Sequence, residues 1–129
     1  MRLRAGLLLI LVVPAFAPAD DKELKPISAE EAAKQVDKEC LVEMQVKSIG
    51  KSRSRYFLNS EANFRDGKNF TVFIDSDVLP KFKKAKIEDP ATYYKDKTIR
   101  VKGKVLLYNN RPEIKVTGPE QIEVVEKKK

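Results

Sequence analysis

From Glu39 onward the chain alternates apolar and polar residues with a period of two. Cys40, Val42, Met44 and Val46 interleave with Leu41, Glu43, Gln45 and Lys47, which predicts a half-buried strand. The stretch "GKSRS" (50–54) breaks the run, and "RYFLN" (55–59) starts a second strand. The polar loop "SEANFRDGKN" leads to a third strand in "FTVFID" (70–75), rich in aromatic and β-branched residues. A fourth strand, Thr98 to Tyr108, puts Ile99, Val101, Val105 and Leu107 on one face. Gly103 falls in that row, where a missing side chain permits a bend or bulge. Asn109-Asn110 tolerates positive φ and suits a two-residue hairpin turn. The fifth strand, Pro112 to Thr117, turns Ile114 and Val116 inward, and "QIEVV" (121–125) adds a closing strand or an extension.

Helical signals are few. In "SAEEAAKQV", Ser28 precedes Glu31 by three residues, a capping-box spacing that predicts a short helix from Ala29 to Val36. Between strands three and four, Ser76 or Asp77 is placed to cap a helical turn, and Pro90 breaks the polar stretch that follows. Five strands, a long bent fourth strand and helical structure between strands three and four predict a small all-β domain. That order resembles the OB-fold, a five-stranded Greek-key barrel whose strand 2–3 face binds oligonucleotides or oligosaccharides.

Other features set the domain limits. "MRLRAGLLLILVVPAFAPAD" has two arginines, an apolar run from Leu7 to Val13 and then small residues, the layout of a secretory signal peptide. The run is short of the roughly 20 apolar residues that span a bilayer. Cleavage after Ala17 or Ala19 fits, and Ala19 avoids a proline beside the scissile bond. The expected organisation is a signal peptide (1–19), a charged flexible leader (20–26), an OB-fold domain (27–126) and a basic tail (127–129). The mature protein is expected to be secreted or periplasmic, with no stable membrane insertion once the signal is removed.

Composition narrows the chemistry. With no histidine and one cysteine, the usual general base, the commonest zinc ligand and any internal disulfide are missing. Cys40 reads as a small core residue. No cofactor, metal site or catalytic residue is expected, and Asp75 and Asp77 read as strand-end and turn-capping groups. The formal charge of +7 falls to +5 without Arg2 and Arg4, and to +2 without Lys127–Lys129. Distribution therefore matters more than the total. Lys47, Lys51, Arg53, Arg55, Arg65 and Lys68, against Glu61 and Asp66, give residues 47–74 a charge of +4. Arg100, Lys102 and Lys104, on alternate positions of strand four, read as either part of an anion-binding face or a solvated row. "KFKKAK" (81–86) reads as a phosphate or membrane-surface contact, or as a helix end whose dipole suits cations.

A more specific resemblance lies in "YYKDKTIRVKGKVLLYNNRPEIKVTGPEQIEVV". Tyr94, Lys97, Val101, Gly103, Val105, Tyr108, Arg111, Pro112 and Ile114 resemble a pattern of anticodon-binding-type OB domains, and Pro119, Gln121 and Ile122 resemble exported bacterial relatives. Asp37 and Met44 stand where glycine is expected. The resemblance implies that strands two and three bind through their outer face. That face comprises Arg55, Phe57, Asn59, Thr71 and Phe73, with Lys47, Arg53 and Lys68 at its rim; Arg55 stands where the family carries an aromatic residue. Arg and Phe both offer faces on which bases stack. The expectation is a non-catalytic module for single-stranded nucleic acid or another polyanion. The alternative is an exported structural or protein-interaction domain without such a ligand.

Overall fold

The computed structural model of the chain describes residues 23–125. The signal-peptide segment, the first leader residues and the basic tail lie outside the described residues. In chain order the elements are β1 (Pro26–Ser28), α1 (Ala29–Ala32), β2 (Glu39–Gln45), β3 (Ser48–Ser52), β4 (Arg55–Asn59) and β5 (Thr71–Ile74). There follow α2 (Leu79–Lys84), α3 (Pro90–Tyr94), β6 (Thr98–Lys104), β7 (Leu106–Tyr108), β8 (Arg111–Val116) and β9 (Ile122–Val125). Hydrogen bonding divides the strands into a four-stranded sheet, β1-β2-β6-β9, and a five-stranded sheet, β3-β4-β5-β8-β7. All pairs are antiparallel except β1–β2 and β5–β8.

The inward rows follow from the period of two. Tyr56 and Leu58, Val72 and Ile74, Ile99 and Val101, and Ile114 and Val116 are all buried, in one core with Phe70, Phe82 and Tyr94. Burying each such side chain contributes about 1.5–3 kcal/mol, so the alternation is the main source of register.

Two residues explain why the sequence suggests one set of five strands and the chain shows two sheets. Val46 separates β2 from β3, and Val105 separates β6 from β7; both are fully buried. At each, the backbone leaves one sheet for the other, and its two polar groups pair with a nearby turn. Val46 donates to Lys97 O at 2.8 Å and accepts from Asp96 N at 2.8 Å. Val105 donates to Lys38 O at 3.0 Å and accepts from Asp37 N at 2.7 Å. Unpaired, those buried groups would carry a desolvation cost.

Asp37 and Asp96 both take left-handed backbone, with φ of 72° and 68°. Of the two positions where the resemblance suggests glycine, Asp37 is thus a true left-handed site, filled by a residue that tolerates it, whereas Met44 is buried in regular β2–β6 pairing. Asp37→Gly is expected to raise stability by up to about 1 kcal/mol, read from the denaturant midpoint.

Several expectations need correction. "GKSRS" does not end the strand at Gly50: Gly50–Ser52 pair with Arg55–Phe57, and the chain reverses at Arg53 and Ser54, whose φ values are 53° and 67°. Leu107 is not in the core; the switch at Val105 resets the alternation and leaves it 52% exposed. Helix α1 is one turn that stops at Ala32, with Ser28 Oγ accepting from Glu31 N at 3.1 Å. The leader's last residue, Pro26, is already in β1, paired with Leu41. Among the described residues, no helix is long and apolar enough to cross a membrane.

Candidate functional site

The outer face of the five-stranded sheet carries two parallel rows, set by register. One runs Gly50–Phe57–Phe73–Lys115, and its neighbour runs Ser48–Asn59–Thr71–Glu113–Leu106. Phe57 and Phe73 are directly opposite and half-buried, with ring centroids 5.1 Å apart and planes tilted by 31°. Such cross-strand aromatic pairs are stabilising and present one continuous apolar face. Gly50 keeps the end of that row open: a Cβ there would rest 3.5 Å from Phe57 in ordinary contact, so open space rather than backbone strain is what glycine supplies.

A groove of about 380 Å³ opens on this face. Its floor is Gly50, Phe57, Asn59 and Thr71; its walls are Lys51, Phe64 from the β4–β5 loop, and Tyr108, Asn109, Arg111, Pro112 and Glu113 from the β7–β8 hairpin. Phe64 and Tyr108 are 53% and 64% exposed, so both rings are free to meet a ligand. Arg111 ties the two walls together, its Nη1 donating to Phe64 O at 2.7 Å. Arg65 stacks over the Phe64 ring at 5.2 Å. A second depression, lined by Ile87, Tyr93, Tyr94, Ile122 and Val124 beside Glu120, has no cationic side chain in its lining.

The predicted face is only partly assembled into this groove. Phe57, Asn59 and Thr71 line it; Phe73 stacks behind Phe57. Arg55 is drawn aside by Asp75, whose Oδ1 it approaches at 3.3 Å, while Lys115 lies 3.8 Å from the other oxygen. The Ser76 N–H, at 2.7 Å, and then these cations hold the Asp75 carboxyl below its usual range. Asn59 faces outward but is buried beneath the β4–β5 loop, its Oδ1 accepting from Thr71 Oγ1 at 3.0 Å and Asn69 Nδ2 at 3.3 Å.

The rim residues lie elsewhere. Lys47 is at the β2–β3 crossover, Arg53 in the β3–β4 turn, and Lys68 is 3.9 Å from the Glu30 carboxylate. Arg100, Lys102 and Lys104 belong to the four-stranded sheet, and Arg100 pairs with Glu43 at 2.8 Å. Among the described residues, no cluster of three metal-ligating side chains occurs.

Sequence reasoning did not place Phe64, Tyr108, Arg111 and Glu113 at the site, and Lys51, counted in the basic set, turns its ammonium over the Tyr56 ring at 5.3 Å. A signal for two of the missed residues existed: Tyr108 and Arg111 belong to the pattern shared with the anticodon-binding-type domains. Glu113 is half-buried, and that burial pushes its carboxyl above the ordinary range while Lys115 pulls the other way.

Two sheets joined by the chain crossovers at Val46 and Val105, with a parallel β5–β8 pair, define an OB-like fold. Solved structures agree. The chain resembles asparaginyl-tRNA synthetases from Entamoeba histolytica (17% identity, 83% of this chain, 24% of that chain, TM-score 0.52) and Pyrococcus horikoshii (17%, 78%, 23%, TM-score 0.51). It also resembles the OBody AM1L10 bound to hen egg-white lysozyme (18%, 74% of this chain, 86% of that chain, TM-score 0.50). The chain thus spans about a quarter of the synthetases it matches, and at these identities the likeness is one of fold. No protein-family model and no curated protein matches the chain.

Proposed function

We propose that this chain is a non-catalytic OB-type module that binds single-stranded nucleic acid along the outer face of the five-stranded sheet. In this reading the two sheets act as one closed five-stranded barrel. The observation that carries it is the groove itself: aromatic rings from three different elements, Phe57, Phe64 and Tyr108, stand beside Arg111, with Arg65 over the Phe64 ring. Unstacked bases need π-faces and the phosphates between them need cations, and one groove supplies both. A purely electrostatic polyanion site would not require three rings.

The test is binding of a labelled oligonucleotide across a salt series. Affinity is expected to fall as salt rises, by about 0.7 logarithmic units per tenfold salt for each phosphate neutralised. Arg111→Ala is expected to remove about one such contact and flatten the slope accordingly. Arg55→Ala should change it less, because Asp75 already holds that guanidinium. Absence of binding at low salt would end the proposal.

A second reading, a protein-interaction module, is favoured by Leu106, Leu107 and Tyr108, all exposed on the edge strand β7. The lysozyme-bound OBody is a protein of similar fold with a protein partner. That reading expects binding insensitive to the loss of Arg111.

Export is part of the proposal and rests on the N-terminal sequence. Mass spectrometry of the secreted or periplasmic protein is expected to show a mature N-terminus at or near Asp20. Recovery of the intact chain from the cytosol would remove export and return intracellular RNA as the ligand pool.

A further inference from the structure

The row Asn59–Thr71–Glu113 crosses three adjacent strands, so its two ends stand roughly 10 Å apart at the usual strand spacing. Thr71 in the middle is already engaged: its hydroxyl donates to Asn59 Oδ1 at 3.0 Å and accepts from Asn69 Nδ2 at 3.2 Å. Asn59 Oδ1 receives both Thr71 and Asn69. The Asn59 amide nitrogen then has no acceptor among the described residues, although the side chain is only 4% exposed and lines the groove. At the other end, no hydrogen bond or ion pair among the described residues engages the Glu113 carboxylate, which lines the same groove.

Buried polar groups are ordinarily paired, and an unpaired one in a native fold calls for an explanation. Here a donor and an acceptor remain open at opposite ends of one row. Rings of Phe57, Phe64 and Tyr108 surround them. The matching ligand is flat, stacks on aromatic faces, and presents an acceptor on one edge and an amino donor on another.

We propose that the groove holds a single nucleobase and that Glu113 selects one carrying an exocyclic amine, cytosine over uracil. The inference rests on the single-strand reading above. The cytosine amino group would donate to the Glu113 carboxylate, and the O2 carbonyl, which uracil shares, would accept from the Asn59 amide. Carboxylate to cytosine N4 is an established pairing chemistry. Uracil sets a carbonyl where the amine would be, which repels the carboxylate and leaves it unpaired. Arg111 at the wall and Arg65 over the Phe64 ring fit the flanking phosphates.

The two pyrimidines share the ring and the O2 carbonyl and differ on one edge, amine and N3 acceptor in cytosine against carbonyl and N3–H in uracil, so they make the test. Binding of d(C)12 and d(U)12 to the intact protein is measured by fluorescence anisotropy at one fixed salt concentration. A preference for d(C)12 of about tenfold or more is expected, in line with one well-formed base contact. Glu113→Gln keeps the shape and adds a donor, so it is expected to weaken d(C)12, strengthen d(U)12 and erase the preference. Phe57→Ala is expected to weaken both oligonucleotides alike, since stacking ignores the edge. Thermal melting of each variant confirms folding.

Equal affinity of the wild type for both oligonucleotides overturns base selection and leaves the single-strand reading standing. A preference that survives Glu113→Gln removes Glu113 as its source. Binding of neither oligonucleotide at low salt defeats the underlying reading and this inference with it.

Discussion

Replacing Gly103 with valine is expected to lower stability by about 1–3 kcal/mol, the usual cost of overpacking a close-packed core. Gly103 is buried in β6, opposite Cys40, in ordinary strand register. A Cβ there would lie 2.6 Å from Ile114 Cγ2 and 3.3 Å from Gln121 Nε2. Ile114 is fully buried and cannot swing away. Gln121 is no freer, since its amide clips Lys102 O at 2.8 Å and accepts from Thr117 N at 2.6 Å. Valine adds two further methyl groups to a space already short for one carbon. Gly103→Ala should fall between wild type and Gly103→Val. A valine variant with an unchanged denaturant midpoint would mean that β6 and β8 do not approach this closely.

Phe57→Ala is expected to cost about 1–3 kcal/mol of oligonucleotide affinity, the measured range for one base-stacking ring. The ring is on the groove floor, supported from behind by Phe73 at 5.1 Å and facing the gap left by Gly50. Phe73→Ala should cost less, because Phe73 supports Phe57 and does not line the groove. Titrations of both variants against one oligonucleotide check the order. If Phe57→Ala binds like wild type, stacking on this face is not how the module holds its ligand.

The strands were legible wherever one face is buried, because alternation of Tyr56 and Leu58 or Ile114 and Val116 has a single low-energy register. The Asn109-Asn110 turn was legible because asparagine advertises left-handed backbone, and both residues adopt it. Arg53-Ser54 takes the same conformation with residues that carry no such signature, so the turn was displaced onto the preceding glycine. Leu107 was misplaced because periodicity within a strand cannot register a change of sheet.

The site divides on similar lines. Phe57 and Thr71 follow from strands adjacent in sequence. Glu113 and Arg111 reach the same groove through the parallel β5–β8 pairing, a long-range contact with no local pattern. Phe64 is an apolar residue in a polar loop, and its place is fixed by the bond from Arg111 to its carbonyl. The Asn59–Thr71–Asn69 network was hidden for a simpler reason: the same residue types serve equally well on an open surface.

The crossover at Val46 has a consequence for the order of assembly. β2 waits for β6, and Glu43 meets Arg100 across 57 residues of chain. Until residues 98–104 have been synthesised, the preceding chain can form the β3–β4–β5 meander and the short β1–β2 pair, but β2 has no antiparallel partner. Closing so long a loop makes its contacts late and its folding slow relative to local structure. The emerging polypeptide therefore begins as an open meander, and the four-stranded sheet starts to close only with the strand that carries Gly103.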